Sequence, residues 1–181
     1  MITLATLGLN ALPARLATYR EKGVLRRLST TPVHAATVLA AQLVVYLVVA
    51  IAAMVLLVVI GKLIFDVPLP SDLFGFIAAY FVGMASLFAL GLLVAAVAPT
   101  TRAGTALSTP LLFVTMFLGG VYLPRVFLPD FLISIGAYTP PGVQALFDAW
   151  SGNVLQLPQL VTMVAIAVAA GVAAARSFRW E

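Results

Sequence analysis

Sixteen residues of this chain carry a full charge, and four long stretches contain none: Leu28 to Gly61 (34 residues), Leu73 to Thr101 (29), Ala103 to Pro124 (22) and Ala149 to Ala175 (27). A helix needs about 20 mainly apolar residues to cross roughly 30 Å of hydrocarbon, and each stretch supplies that length. Backbone groups in lipid must be paired within their own segment or in a closed barrel, and these stretches lack the apolar/polar alternation of barrel strands. The fold class that follows is an all-α membrane protein with about four full transmembrane helices.

Water is a poor medium for such a chain. Charged residues make up 9% of its 181 and apolar ones 63%, where soluble domains carry roughly 25% charged residues. A net charge of +4 would suggest nucleic acid in a soluble protein, but beside apolar spans basic residues are the flanks that orient them. The expected partner is the lipid membrane, with no nucleic acid. The chain has no cysteine, which removes disulfides, thiolate chemistry and cysteine zinc sites.

Met1 to Ala14 is apolar, with no basic n-region and no evident cleavage site. It is too short to cross alone at about 1.5 Å per residue, and Pro13 should cut it, so residues 1–14 read as a partial helix. Residues 15–31 hold half of the basic side chains (Arg15, Arg20, Lys22, Arg26 and Arg27) and read as two short helical pieces at a membrane surface, broken at Gly23. The first span, 32–64, opens with Thr31 as N-cap and Pro32 at the first helical position. The second, 71–98, opens with Ser71 as N-cap and Asp72 in the first turn. Its small residues Gly75, Ala79, Gly83, Gly91 and Ala95 recur at the spacing that lets helices approach closely in lipid. The third, 102–119, should kink at Pro110 and stop at Gly119-Gly120. The fourth, 157–176, ends at an interfacial anchor of Arg176, Arg179 and Trp180.

Between the third and fourth spans, residues 121–150 contain Pro124, Pro129, Pro140 and Pro141, which forbid one continuous helix, and Phe127, Leu128, Phe131, Leu132 and Ile133, which are too apolar for a solvated loop. Irregular backbone at membrane depth requires protein or a wet cavity to satisfy it, so short re-entrant or interfacial helices are expected. Residues 1–181 thus read as a single transmembrane domain. Grouping Arg15 to Arg27, Arg102 and the C-terminus on one side leaves Lys62 and Arg125 as the basic residues opposite; the positive-inside rule makes the first group cytoplasmic.

The chemistry expected of this chain is sparse. His34 has no second ligand at metal spacing, so no metal site is expected. Gly61-Lys62-Leu63 lacks the upstream glycine and the following Ser or Thr of a phosphate-binding loop. No ionisable group sits within the spans except Lys62 near an outer end, where it should snorkel, which disfavours proton-driven transport. No catalytic residues are expected, because no paired carboxylates, Ser/His pair or metal cluster is visible. Polar residues in the spans, among them Gln42 and Tyr46 one turn apart and Ser108, Thr109 and Thr115, serve either to bond neighbouring helices and their own backbone or to line a substrate path. Gln42, Tyr46, Thr109 and Thr115 are the candidates for that path.

The run Tyr19-Arg20-Glu21-Lys22-Gly23-Val24-Leu25-Arg26-Arg27-Leu28-Ser29-Thr30-Thr31-Pro32 resembles the cytoplasmic segment between the second and third helices of type 2 ABC exporter permeases, especially the drug-resistance branch with the daunorubicin-type exporters. Thr109-Pro110 through Phe117-Leu118-Gly119-Gly120-Val121-Tyr122-Leu123-Pro124, then Leu128-Pro129 and Tyr138-Thr139-Pro140-Pro141, is similar to the family's fifth helix and its re-entrant outer hairpin, and Phe178-Arg179-Trp180-Glu181 to its usual ending.

The resemblance implies a dimer of permeases, homo- or heterodimeric, docked on two copies of a separate ABC ATPase that carries the ATP and magnesium, with no cofactor on this chain. It implies that Tyr19, Arg20, Glu21, Lys22, Gly23, Arg26 and Arg27 couple to the ATPase, and that Gly119, Gly120, Pro124, Pro129, Pro140 and Pro141 belong to the outer gate. Family members have six spans; here the first helix and most of the second are missing, which implies an N-terminal truncation. The function so implied is the membrane subunit of an ATP-driven exporter of amphipathic drug-like or lipid-like molecules, multi-pass in the plasma (inner) membrane with its C-terminus cytoplasmic. The alternative is a truncated, non-transporting fragment or accessory subunit of such a permease.

Overall fold

The computed structural model describes residues 2–22, 35–123, 127–154 and 156–177, and all regular structure among them is helical. Helix α1 joins an α segment Ile2–Thr6, a π turn Leu7–Ala11 and an α segment Leu12–Glu21. It is followed by α2 (Ala35–Phe65), α3 (Leu73–Val97), α4 (Thr101–Leu118), α5 (Asp130–Ala137), α6 (Val143–Ser151) and α7 (Leu157–Ser177).

Helix α1 corrects the expectation of a cut at Pro13 followed by separate pieces at the membrane surface. The Leu12 amide bonds to the carbonyl of Leu7, five residues back, and closes the π turn. That wider turn resets the register, so Pro13 falls in the opening turn of the next α segment, where a proline's missing N–H has no helical partner to lose. The helix therefore runs on to Glu21. Leu4, Leu9, Leu12, Leu16 and Ala17 bury one side of it in the core. Gly23, the expected break, lies outside the described residues, as do Arg26, Arg27, Thr31, Pro32, His34, Pro124 and the closing residues 178–181.

Helix α3 is the hub and packs against α7, α1, α6 and α4. Its small residues explain how. A Cβ on Gly91 would overlap the carbonyl oxygen of Gly8, and one on Gly83 would overlap that of Pro141. Gly8 in turn leaves only 3.1 Å between a Cβ of its own and Leu87 Cβ. Helix α1 and the cis Pro140-Pro141 turn thus rest on α3 backbone to backbone, with Ala79 and Ala95 buried along the same face. Close approach of this kind supplies dispersion contacts that substitute in lipid for a hydrophobic driving force.

Other helix ends follow local capping chemistry with one correction: Asp72, and not Ser71, caps α3, its carboxylate accepting from the Gly75 amide at 2.9 Å. The Ser71 and Asp72 amides donate to the carbonyls of Trp150 and Ala149 at 3.1 and 3.0 Å, tying the start of α3 to the end of α6. Thr100 caps α4, its hydroxyl accepting from the Ala103 amide. Residues 127–151 form the two short helices α5 and α6, the latter flanked by Gly142 and Gly152 in the left-handed region at φ +73° and +76°.

Three helices among the described residues are long and apolar enough to cross a membrane: 40–65, 73–97 and 157–177. Helix α4, expected as a fourth, has 18 residues but carries Arg102 and four threonines and falls outside that set. Only 11% of the apolar window of α2 is buried against 56% for α3, which makes α2 the helix most open to lipid. It is held by the Tyr80 hydroxyl donating to the Ala50 carbonyl at 2.7 Å and by Tyr46 packed edge-on to Phe88. At its far end Lys62 does not snorkel alone but pairs with Asp66 at 2.7 Å.

The backbone contact at Gly91 has a direct test. Gly91→Ala is expected to lower stability by about 1–3 kcal/mol through overpacking, read by unfolding in detergent. Gly171→Ala, whose new methyl would meet nothing within 4 Å, is expected to leave it unchanged.

Candidate functional site

A helix that ends beside the start of another leaves bare carbonyls at one terminus and bare amides at the other. Helices α3 and α4 meet in this way at Ala98-Pro99-Thr100, and two consecutive residues of α1 serve both ends. The Arg20 guanidinium donates through Nη1 to the carbonyls of Ala98 at 2.9 Å and Ala95 at 3.3 Å, at the C-terminus of α3. The Glu21 carboxylate accepts from the Thr101 amide and the Thr101 hydroxyl, both at 2.7 Å, at the N-terminus of α4. A cation at a helix C-terminus and an anion at a helix N-terminus each match the helix dipole. One turn further back, Ala17 packs on Gly104 of α4.

Of the seven residues singled out for coupling, four are described. Arg20 and Glu21 make this double attachment, Tyr19 packs half-buried against the core, and Lys22 is exposed as the C-cap of α1. The structure adds partners that sequence reasoning missed: Ala95, Ala98 and Thr101. The signal was present in Pro99-Thr100-Thr101, a helix-start pattern lying one turn after the α3 carbonyls.

The four candidate path residues do not converge. Gln42 lies beside the Tyr46 phenol, with Arg15 and Tyr19 of α1 close to it, while Thr109 is exposed and Thr115 buried on α4. The two threonine hydroxyls donate to carbonyls one turn back, of Thr105 at 2.8 Å and Leu111 at 2.7 Å. Among the gate candidates, Gly119 closes α4 against Val143, Gly120 takes φ +75°, and the Pro129 carbonyl accepts from the Leu132 and Ile133 amides to start α5. Pro140 and Pro141 are buried, and Pro141 rests on Gly83. These five described residues lie away from Arg20, with Pro140 and Pro141 packed inside and Pro129 exposed.

Three apolar clefts of about 180, 220 and 300 Å³ meet at Phe76 in the same half of the molecule. Met54 and Val58 of α2, Tyr80 of α3 and Leu146 and Trp150 of α6 line them. No charged side chain lines them, and the Tyr80 hydroxyl is already bonded to Ala50. Such a lining accommodates hydrocarbon or rings. Phe76 itself packs edge-on to Trp150 with ring centres 5.4 Å apart.

The hydroxyl and amide of Thr101 hold the Glu21 carboxyl below its ordinary value of 4.5, and the nearby Arg102 adds to the effect. With the folded value depressed, the cap contributes fully above pH 4.5 and is lost as the pH falls through the folded pKa. In detergent, the difference in melting temperature between the parent and Glu21→Gln is therefore expected to be constant above about pH 5.5 and to shrink in acid. A difference that persists unchanged at low pH contradicts this reading.

A sequence model of the ABC-2 type transporter family matches residues 1–146. Searches of curated proteins and of solved structures find no match. Most of the chain, including the Arg20–Glu21 corner, α3, α4 and the start of α6, falls inside the matched range. The chain belongs to the ABC-2 type transporter family as a multi-pass membrane permease domain, and such a domain implies an ABC ATPase as its partner.

Proposed function

We propose that this chain is the membrane-spanning subunit of an ATP-driven exporter, of the drug-resistance branch, that moves amphipathic drug-like or lipid-like molecules outward across the plasma (inner) membrane. ATP and magnesium are bound on the separate ATPase; the permease brings no cofactor and no catalytic residue of its own, and works as a pair with a second permease copy. Arg20 and Glu21 lie on the cytoplasmic side, together with the C-terminus. Helices α2, α3, α4 and α7 cross the bilayer, α1 reaches the same depth alongside α4, and 121–150 is the outer cap.

The observation that carries this reading is the double attachment of Arg20 and Glu21 to the α3–α4 corner. The basic segment that follows Glu21 is the part of the chain suited to receive a push from a cytoplasmic partner. A push received there is delivered through two adjacent side chains to the ends of two further helices, so three helices respond together. The uncharged clefts at Phe76 favour hydrocarbon-rich cargo over ions or sugars, because burying a charge or an unpaired polar group there carries a desolvation cost.

The test is reconstitution of the chain in vesicles with and without its cognate ATPase, following outward transport of a fluorescent amphiphile. Transport that needs both the ATPase and ATP supports the reading; transport without the ATPase overturns it. An ATPase that binds but drives no transport would favour the accessory-subunit alternative. Replacing both Arg20 and Glu21 by alanine is expected to leave ATPase binding in place while cutting transport per ATP hydrolysed by about tenfold or more, the pattern of a lost coupling step and not of lost binding.

A further inference from the structure

Helix α4 runs back along the whole of α1, from its start at Glu21 past the α segment Leu12–Glu21 and the π turn to the segment Ile2–Thr6. Gly104 of α4 meets Ala17 of α1. The two helices are antiparallel, so six residues further along α4 and six residues back along α1, about 9 Å in each, Pro110 comes level with Ala11, the last residue of the π turn. Each helix therefore has its one irregularity at the same depth. Proline removes a helical hydrogen bond and a π turn loosens one, and these are the places where helices bend.

Two more observations fall at this level. Ser108, on the same face of α4 as Gly104, is buried at 2% exposure, and its hydroxyl has no hydrogen-bond partner among the described residues, although the hydroxyls of Thr101, Thr105, Thr109 and Thr115 on the same helix are all bonded. The contact between α4 and α1 is thus one hydrogen bond short where both backbones are weakened. Just beyond, Gly8 and Gly91 bring α1 and α3 into backbone contact, with Leu12, Leu87 and Phe88 packed around it, an apolar bearing about which α1 can turn.

We propose that the π turn Leu7–Ala11 and Pro110 form one paired hinge. Below it, residues 12–21 and 101–109 move as a block clamped by Glu21 and Ala17, with the end of α3 carried along through Arg20; above it, α1 and α4 stay with the capped far end. The inference rests on the exporter reading, and it adds where in the membrane the stroke is converted into bending.

The chain has no cysteine, so nitroxide pairs can be placed freely. One pair, Arg15→Cys with Val114→Cys, spans the hinge; the other, Ile2→Cys with Val114→Cys, lies above it. In vesicles with the cognate ATPase, trapping with ATP and vanadate is expected to shift the first distance and leave the second unchanged. Deleting Asn10, which returns the π turn to a plain α-helix, combined with Pro110→Ala, is expected to abolish the first shift while ATPase binding is retained. A shift that survives in this variant overturns the hinge. Should the deletion prevent folding, Pro110→Ala alone decides: a full shift overturns the hinge and a reduced one supports it. Failure of the parent to bind the ATPase overturns the exporter reading itself, and with it the hinge.

Discussion

Two helix ends brought together at one corner present bare carbonyls beside bare amides, and in a chain with this little charge few side chains are available to serve them. Arg20 and Glu21 serve both at once. Adjacent in sequence and opposite in charge, they sit at the point where α1 leaves the core, and each matches the dipole of the helix it caps. The corner is therefore more than a turn. It is the place where α1, α3 and α4 become mechanically continuous, and the functional reading depends on that continuity.

The rest of the structure determines what the continuity can move. Helix α3 is held by contacts with little chemical character: Gly91 on Gly8, Gly83 on Pro141, and the alanines between. Such surfaces hold helices close by dispersion and permit one to turn on another without breaking polar bonds. Polar fastening is placed at the two ends of the bundle, the Arg20–Glu21 corner at one and the Asp72, Ala149 and Trp150 links at the other, and the Tyr80 hydroxyl joins α3 to the Ala50 carbonyl of α2 between these ends. Between them α2 stands largely open to lipid and leaves apolar clefts around Phe76.

The class of this fold was legible because uncharged stretches of this length have few outcomes in physical terms, and the starts of α3 and α4 were legible to within a few residues, that of α3 from its polar cap. What misled was proline. At Pro13 a helix break was expected, and a π turn removed the need for it, a local adjustment that no residue pattern announces. At Ser71-Asp72 the two capping residues are chemically alike, and only the amide of Gly75 decides between them. The coupling residues were singled out through a resemblance, but their partners were not: Ala95 and Ala98 act through backbone carbonyls, which every residue has, so composition carries no trace of them. The four path candidates lie apart in the fold for a related reason. Thr109 and Thr115 bond their own helix, and their spacing does not reveal which face turns inward.

The claim that Arg20 and Glu21 act as one unit with the α3–α4 corner is tested most directly by a double-mutant cycle between Arg20→Ala and Glu21→Ala, read as transport per ATP hydrolysed in reconstituted vesicles. If the pair works as a unit, the double variant is expected to be no worse than the more severe single one, because either change already breaks the same link. Losses that multiply would show two independent contributions and contradict the account.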